Sequence, residues 1–344
     1  MTATDPFLAA TQGRRVQHTP VWFMRQAGRS LPEYRALRGS GSILDAIKQP
    51  RLAADITLQP VKRYGVDAAV LYSDIIVPAH AVGFGINVTP GIGPVAEQPF
   101  RNHNDLSRLR PLIPETDTPY VIETIRLLAA ELDVPLLAFA GAPFTVGSYL
   151  IEGRPSRDFV HTKSLMTTEP TLWDGLMQRL AEHAIASIRS QLDSGASAFQ
   201  LFDSWAGALT IEEYRNFVFP YSRRVFDELS TSHPNAPGIH FGVGCDHLLE
   251  QMYLAGPRVI GLDWRSSISD VRMRLGADTI VQGNLNPKLA MGTIDQAISA
   301  TDAVLADNAN HPGHIFNLGH GVQPSTDPGV LAAVVRHVHE QTST

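Results

Sequence analysis

The feature of this sequence that most constrains the fold is a series of eight short apolar runs, each ending near a glycine or a polar residue. Every run is too short for a buried helix and is bounded by turn residues, so each predicts a β-strand. The runs are apolar on both faces, as are the strands of a parallel sheet covered on both sides. They are VWFM (21–24), AAVLYS (68–73), PLLAFA (135–140), AFQLFD (198–203), GIHFGV (238–243), VIGLD (259–263), TIVQGNL (279–285) and HIFNLG (314–319).

Stretches with helical periodicity lie between these runs. Several of them end at glycine, a residue that commonly terminates a helix. Pro60 and Pro220 interrupt two of the stretches and predict kinks there, because proline lacks the amide hydrogen that a helix interior needs. The helical stretches are 51–65, 118–132, 171–195, 211–229, 246–256 and 327–341.

The alternation predicts an α/β fold, namely a single (β/α)8 TIM barrel that takes up residues 1–344 as one domain. A doubly wound open sheet is the alternative. The barrel is favoured because the runs number eight and none opens onto a G-x-G-x-x-G turn. Residues 78–115 are rich in glycine and proline and are interpreted as an insertion after strand two, such as a β-arm near the barrel mouth. Residues 1–15 are predicted to be a flexible N-terminal tail.

The composition excludes several classes of protein. The formal net charge of −6 does not indicate a nucleic-acid or membrane partner, so an anionic ligand would need a local cluster of cations. The single cysteine, Cys245, rules out an intrachain disulfide and cysteine-rich metal sites, and it favours a reducing compartment such as the cytoplasm. No apolar run reaches membrane-spanning length, and the N-terminal sequence does not match a secretory signal.

In barrels of this kind the site lies at the C-terminal ends of the strands, so the residues that follow each run are the site candidates. Glycines in the same segments would allow close access to the backbone. The polar and aromatic candidates are Arg25, Arg29, Ser73, Asp74, Tyr149, Arg154, Asp203, Ser204, Cys245, Asp246, Asp263, Trp264, Asn284, Asn286 and His320. The glycines are Gly28, Gly141, Gly147, Gly244, Gly283 and Gly319.

The first candidate segment carries two arginines on a glycine turn. Arginine forks match the geometry of carboxylate or phosphate, and Gly28 would let the loop turn both forks inward. The other interpretation is a pair of ion pairs between Arg25 and Arg29 and acidic residues of neighbouring loops. Spacing alone leaves both interpretations open.

Four other candidates have two interpretations each. Asp74 is read from the residues alone as a counter-ion of the arginines, although it could also accept hydrogen bonds from N–H groups of a ligand. Tyr149 is a ligand contact or a helix-packing tyrosine. His320, between glycines, is a carboxylate contact or a cap, and Ser204 is a neutral hydrogen-bond donor or a helix N-cap.

Five motifs together resemble the uroporphyrinogen decarboxylase family. They are VWFMRQAGRSLPEYRALR, LYSDI, GAPFTVGSYLIEG, QLFDSWAG and FNLGHGV, which occur in family order from about Pro20 to Thr326. The resemblance implies a (β/α)8 barrel, a homodimer and no metal or organic cofactor. It also implies conversion of uroporphyrinogen III to coproporphyrinogen III by loss of four acetate carboxyl groups, a step of haem and chlorophyll biosynthesis.

The same resemblance implies roles for individual residues. Arg25 and Arg29 would hold substrate carboxylates, and Asp74 would face the pyrrole N–H groups. Asp74, Arg25 and Tyr149 are the implied catalytic residues. The implied substrate-binding residues are Arg25, Gln26, Ala27, Gly28, Arg29, Asp74, Tyr149, Ser204 and His320.

The substrate's chemistry fits these roles. Its eight rim carboxylates call for cations, among which Arg154 is a third candidate, and its four central N–H donors call for an acceptor. Protonation of a ring carbon creates a cation that a fixed, partly desolvated Asp74 would stabilise. The proton donor stays open between Arg25 and a substrate carboxyl or water relayed by Arg25.

Two rival functions are weaker. The zinc-dependent methyltransferases that resemble this chain in fold use a His-x-Cys pair and a distant cysteine, whereas here His240 is followed by Gly242 and the chain has only Cys245. A non-catalytic tetrapyrrole carrier would have no need for a group such as Asp74 that acts in the transition state.

Overall fold

The computed structural model describes residues 5–39 and 41–344. Seven of the eight predicted strands pair in one sheet, and all six pairings are parallel. Its strands, in spatial and chain order, are β1 (Ala69–Val70), β4 (Leu136–Gly141), β5 (Ala198–Asp203), β6 (Gly238–Gly242), β7 (Val259–Gly261), β8 (Val281–Gln282) and β9 (His314–Ile315). This confirms an α/β fold with a parallel sheet, in which each strand lies beside its predecessor.

The first predicted run forms an isolated parallel bridge instead of a regular strand. Val21 pairs with Phe316, and the Phe316 N–H donates to the Pro20 carbonyl at 2.8 Å. On the other side, the Asp67 N–H donates to the Val21 carbonyl at 2.8 Å. Since Asp67 leads into β1 and Phe316 follows β9, this segment contacts both edges of the sheet.

A row of buried polar side chains crosses the concave side of the sheet. The Trp22 indole N–H donates to Gln282 Oε1 at 2.9 Å, and Gln282 Nε2 donates to Gln200 Oε1 at 2.8 Å. Gln200 is on β5 and Gln282 is on β8, which are not neighbouring strands. The sheet is therefore curled strongly enough for side chains of distant strands to meet.

Helices cover the sheet, and several begin with proline, which is pre-organised for the first helical turn. Short 3₁₀ turns occur at Ala206–Ala208, Asp246–Leu248 and Leu289–Met291. The α-helices are α1 (Pro6–Ala10), α2 (Pro32–Arg38), α3 (Ile43–Ile47), α4 (Pro50–Tyr64), α5 (Val77–Ala81), α6 (His103–Arg108), α7 (Pro114–Asp117), α8 (Pro119–Glu131), α9 (Pro143–Glu152), α10 (Val160–Thr168), α11 (Pro170–Asp193), α12 (Ile211–Phe217), α13 (Phe219–Ser232), α14 (Leu249–Leu254), α15 (Ile268–Leu275), α16 (Ile294–Asn308) and α17 (Pro328–Thr342).

The long helix α11 shows why such segments are helical. Its buried residues include Leu176, Leu180, Ala184 and Ile188, four residues apart, which form one apolar stripe. The helix packs against β4 and β5. Burying such a stripe, more than helix propensity, stabilises a helix of this kind.

The two proline predictions have different outcomes. The predicted helix 211–229 is interrupted at Val218, and Pro220 lies at the second position of α13. Proline lacks the N–H that would continue the preceding helix, but in the first turn of a new helix it costs no hydrogen bond. Pro60, in contrast, lies inside α4, which continues to Tyr64 without a break.

Residues 78–115, interpreted from the sequence as an insertion such as a β-arm, include an antiparallel hairpin of β2 (Ile86–Thr89) and β3 (Gly93–Ala96). Helix α6 and the start of α7 lie in the same segment. Residues 5–15 of the predicted flexible tail contain α1, in which Phe7 is fully buried. That packing gives the flexible-tail prediction no support, and its residues 1–4 lie outside the described part of the chain. Among the described residues, no helix has the length and apolar character needed to cross a bilayer.

Candidate active site

The buried side chain of Gln26 anchors the loop after Val21–Met24 through hydrogen bonds to the backbone. This side chain is fully buried; its Oε1 accepts from the Phe23 N–H at 2.9 Å and its Nε2 donates to the Ala68 carbonyl at 3.0 Å. Both the oxygen and the nitrogen of the Gln26 amide are therefore hydrogen-bonded within the chain, and its contact with substrate stays a prediction. Ala27 and Gly28 are half-buried, and a side chain at Gly28 would approach the Arg25 carbonyl to 3.1 Å.

Arg25 follows the first apolar run and packs against Gly321, on the segment that follows β9. Its φ of 59° is in the left-handed region, which is uncommon for a residue with a side chain. A Cβ added to Gly321 would stand 2.7 Å from Arg25 Cδ and 3.0 Å from Cγ, so the arginine stem lies directly over this glycine. The backbone conformation and the glycine together fix the direction in which the guanidinium points.

Neither Arg25 nor Arg29 forms an ion pair with a carboxylate within residues 5–39 and 41–344. Both side chains are exposed. The Arg29 carbonyl accepts from Arg35 Nη1 at 2.6 Å, and α2 is fastened by the Tyr34 hydroxyl, 3.0 Å from the Tyr72 hydroxyl. The ion-pair interpretation therefore has no support, and both guanidinium groups are available to an anion.

Asp74 follows the end of β1 and is half-buried. Its carboxylate accepts one hydrogen bond from the described residues, from the Ile76 N–H to Oδ1 at 3.0 Å. Burial raises the pKa of this carboxyl, while the Ile76 N–H and the charge of Arg25 partly oppose the increase. A carboxylate with so few donors has capacity to accept further N–H groups.

Tyr149 is on α9 and is coupled to these two charges. Burial and then the charge of Asp74 raise the pKa of Tyr149 to about 12, and Arg25 opposes the shift. The ring packs on Trp205, with centroids 3.8 Å apart and planes at 37°. Tyr149, Asp74 and Arg25 therefore belong to one electrostatic group. Arg154, exposed, follows Gly153 at the end of the same helix.

A buried pair of side chains sets the position of Trp205. The Thr145 hydroxyl donates to Asp203 Oδ1 at 2.8 Å and accepts from the Trp205 N–H at 3.2 Å. Ser204, half-buried, lies between Asp203 and Trp205, and the N-cap of the following 3₁₀ turn is Trp205. The N-cap interpretation of Ser204 is therefore wrong, because the turn begins one residue later.

His320 lies beside Arg25 at the end of the segment after β9. Burial and then the Arg25 cation lower the pKa of the half-buried imidazole, which favours its neutral form. Its Nδ1 is 3.5 Å from the Gly321 carbonyl, and its ring lies 6.4 Å from that of Trp264. Gly319 is required because an added Cβ would stand 2.3 Å from the Trp264 nitrogen.

Other residues after the strands hold the scaffold together. Asp263 is buried and accepts from the Gly244 and Arg265 N–H groups and from the Arg265 guanidinium. Asn284 donates to the carbonyls of Asp263 and Ser266.

Burial and then the Asp203 charge raise the pKa of the Cys245 thiol, so it is not a reactive thiolate. Ser73 is half-buried, Asp246 contacts Arg274 and Asn286 Oδ1 accepts from the Lys288 N–H.

Two residues important for this geometry were not selected from the sequence. Thr145 and Trp205 lie within the motifs GAPFTVG and DSWAG, but neither type of side chain signals chemistry by itself. Thr145 is fully buried and Trp205 is half-buried, and the motifs do not show that the two residues contact each other. Their link is a tertiary contact between α9 and the segment after β5.

The fold defines the general class of this protein. It resembles a methyltransferase from Methanosarcina mazei with a TM-score of 0.78 at 21% identity, over 98% of each chain. It also resembles the putative vitamin-B12 independent methionine synthase of Listeria monocytogenes, with a TM-score of 0.54 at 10% identity over 96% of this chain and 98% of that one. At these identities the likeness shows a shared α/β fold alone.

The sequence comparisons define the family. Residues 2–341 match the family described as uroporphyrinogen decarboxylase (URO-D). Identity to uroporphyrinogen decarboxylase of Salinispora tropica is 50% over 99% of this chain and 91% of the relative. For the same enzyme of Geobacillus kaustophilus it is 47% over 99% of this chain and 98% of the relative. The chain belongs to the uroporphyrinogen decarboxylase family. It is an enzyme, a carboxy-lyase of porphyrin biosynthesis.

Proposed function

We propose that this enzyme removes the four acetate carboxyl groups of uroporphyrinogen III, converting them to methyl groups and giving coproporphyrinogen III. The observation that carries this proposal is a half-buried, sparsely hydrogen-bonded carboxylate, Asp74, in the same candidate site as Arg25 and Arg29, neither of which has an ion-pair partner among the described residues. A ligand with carboxylates at its rim and N–H donors at its centre matches both features. Arg154, exposed just after α9, is proposed as a third cation for the rim carboxylates.

The arginines bind the substrate carboxylates in the ground state. Each guanidinium can form two parallel hydrogen bonds with a carboxylate, which fixes the orientation of the macrocycle. The neutral state favoured for His320 lets it donate to a carboxylate without adding charge, and the Ser204 hydroxyl offers another neutral hydrogen bond. The backbone of Gln26, Ala27 and Gly28 shapes the same pocket.

The chemical step needs charge stabilisation at the centre of the macrocycle. A proton added to a pyrrole carbon makes the ring cationic, and CO₂ then leaves with its bonding electrons flowing into the ring. A second proton completes the methyl group, and loss of the first proton from the ring carbon restores the neutral pyrrole. Asp74 accepts hydrogen bonds from the pyrrole N–H groups and stabilises the cation more than the neutral ground state. Tyr149, beside Asp74, hydrogen-bonds the reacting acetate.

The proton source is assigned to solvent or a substrate carboxyl relayed by Arg25, because a guanidinium is a very weak acid. No metal or organic cofactor enters this scheme. Each protonation and loss of CO₂ exchanges one carboxylate for one hydrogen, so the balance needs neither an oxidant nor a reductant.

The scaffold proposed for this chemistry is a closed (β/α)8 barrel that forms a single domain, with residues 78–115 inserted after the second strand. The hydrogen bonds of the Pro20–Trp22 segment to both Asp67 and Phe316 support closure, as does the Trp22–Gln282–Gln200 row across the interior. We further propose a cytoplasmic homodimer. The single cysteine supports the compartment.

The test of this function is the variant Asp74→Asn, assayed on anaerobically prepared porphyrinogen. The amide keeps the shape but removes the charge, and its NH₂ opposes the pyrrole donors, so kcat should fall roughly 10²–10³-fold while substrate affinity changes little. Binding of the oxidised porphyrin is measured in parallel; it should be weaker, since two of its inner nitrogens lack hydrogen. Turnover of Asp74→Asn near the wild-type rate would mean that Asp74 is only a counter-ion.

A further inference from the structure

Three side chains with metal-binding atoms meet at the end of the barrel opposite the candidate active site. His18 precedes the first apolar run, Asp67 precedes β1 and His339 is in the last turn of α17. His18 is seven positions before Arg25, and Asp67 is seven positions before Asp74. At a strand rise of about 3.3 Å per residue, the two clusters are roughly 20 Å apart.

The three side chains converge closely. His18 Nε2 lies 2.8 Å from Asp67 Oδ1, and His339 Nε2 lies 2.8 Å from Asp67 Oδ2. The two imidazole centroids are 4.1 Å apart, and the three ligand atoms lie within 4.8 Å of one another. The two histidines thus hold the same carboxylate from either side.

We propose that His18, Asp67 and His339 bind one divalent transition-metal ion of the zinc type. Two imidazole nitrogens and a carboxylate form a donor set that Zn²⁺, Co²⁺ and Ni²⁺ accept, with water in the remaining position. Zinc bonds of about 2.0–2.2 Å require ligand atoms roughly 3.3 Å apart in a tetrahedral site. The observed separations need only small side-chain shifts to reach that spacing.

Binding also has a simple proton balance. In the hydrogen-bonded arrangement a neutral imidazole carries its hydrogen on Nε2, facing Asp67. When Nε2 coordinates a metal, the hydrogen moves to Nδ1 and no net charge is created on the ring. The ion replaces two N–H···O contacts by direct bonds.

The surroundings of Asp67 favour a fixed ligand with access from solvent. The Val21 N–H donates to Asp67 Oδ2 at 2.7 Å and orients the carboxylate. The Asp67 side chain is 11% exposed, whereas those of His18 and His339 are 22% and 26% exposed. The metal can therefore enter from outside without unfolding of the core.

The expected effect is structural. The site joins the N-terminal segment, the start of β1 and α17, which also meet through the Thr19 N–H and the Thr342 hydroxyl at 2.8 Å. An ion that binds only the folded chain stabilises it, and the stabilisation grows with the logarithm of the free ion concentration once that concentration exceeds the Kd. Because the cluster lies far from Arg25 and Asp74, occupancy should leave turnover unchanged.

The experiment uses full-length, untagged protein treated with chelator and titrated with ZnCl₂ in a calorimeter. We expect one equivalent per chain and a higher Tm. His339→Ala should bind more than about tenfold more weakly. The matched control is His337→Ala on the same helix, whose imidazole contacts Asp302 instead and whose loss should leave zinc binding intact.

A second measurement covers the case in which His339→Ala does not fold. Wild-type protein titrated with Co²⁺ should develop the visible absorption of a four-coordinate ion, and added Zn²⁺ should remove it. Absence of stoichiometric zinc binding by the wild type, or equal binding by the wild type and folded His339→Ala, would overturn the proposal and leave the cluster as a hydrogen-bonded clamp.

Discussion

The Thr145 hydroxyl donates to the Asp203 carboxylate at 2.8 Å, and both side chains are completely buried. Thr145 is in the first turn of α9, and Asp203 is the last residue of β5. The same hydroxyl accepts from the Trp205 N–H, and Trp205 carries the ring on which Tyr149 packs. One hydroxyl group thereby connects the scaffold to a proposed catalytic side chain.

We expect Thr145→Val to lower kcat and to destabilise the protein by about 1–3 kcal/mol, because the buried Asp203 oxygen and the Trp205 N–H both lose their partner. Thr145→Ser keeps the hydroxyl and is the control. Steady-state kinetics and urea unfolding measure the two effects. Equal kcat in the valine and wild-type enzymes would show that this hydroxyl does not position Tyr149.

Arg29→Lys tests the carboxylate clamp. Lysine keeps the charge but cannot form the two parallel hydrogen bonds of a guanidinium, so the Kd for substrate should rise on the order of tenfold. Arg336→Lys, an exposed position on α17, serves as the control. Unchanged affinity in Arg29→Lys would exclude a bidentate role for this arginine.

Gly321→Ala tests the placement of Arg25. The new methyl group would stand 2.7 Å from Arg25 Cδ, so the guanidinium must move, and kcat/KM should fall about 10–100-fold. Gly41→Ala is the matched control, because no atom lies within 4 Å of the added Cβ. If both variants retain wild-type kcat/KM, the direction of Arg25 is not important for the reaction.

Chelation tests the cofactor-free scheme. Among the described residues, the group of His, Cys, Asp and Glu side chains that could hold a metal ion is His18–Asp67–His339, remote from Asp74. Exhaustive chelation should therefore leave kcat unchanged and lower only the Tm. Loss of activity that stoichiometric zinc or iron restores would contradict the scheme.

His183 should contribute to instability in acid. It is buried, its Nε2 donates to the Arg110 carbonyl at 2.7 Å, and burial lowers its pKa to about 4. Below the ordinary pKa of 6.5 the imidazole binds a proton in the unfolded chain but stays neutral in the folded chain. The contribution of His183 to the free energy of unfolding is therefore fully present above pH 6.5 and is lost as the pH falls towards 4.

His183→Gln retains a donor for the Arg110 carbonyl but cannot titrate. Between pH 6 and pH 5 its free energy of unfolding should fall less steeply than that of the wild type, by up to about 1.4 kcal/mol per pH unit. Exposed His103→Gln is the control. Urea unfolding at several pH values gives the slopes, and identical slopes for wild type and His183→Gln would show that His183 is protonated in the folded state.

The sequence by itself determined the α/β class, seven strands of the sheet and the positions of the main helices. Burial on both faces requires apolar runs that local inspection can detect, and glycine and proline mark their ends. The motifs around Arg25, Asp74, Tyr149 and His320 were equally visible, because reactive side chains follow the strands. The break at Val218 and the unbroken α4 show the limit of such local rules, since proline at residue 220 and proline at residue 60 had opposite outcomes.

Only the tertiary structure decided which side chains meet. Arg25 and Gly321, or Thr145 and Trp205, are far apart in sequence, and their contacts depend on how helices and strands pack. The structure also shows that Arg25 and Arg29 have no ion-pair partner among the described residues. The Gln26 side chain forms its hydrogen bonds with backbone groups of Phe23 and Ala68. His18, Asp67 and His339 join three segments separated by up to 321 residues, a proximity that no local pattern encodes because long-range contacts form only when the whole chain folds.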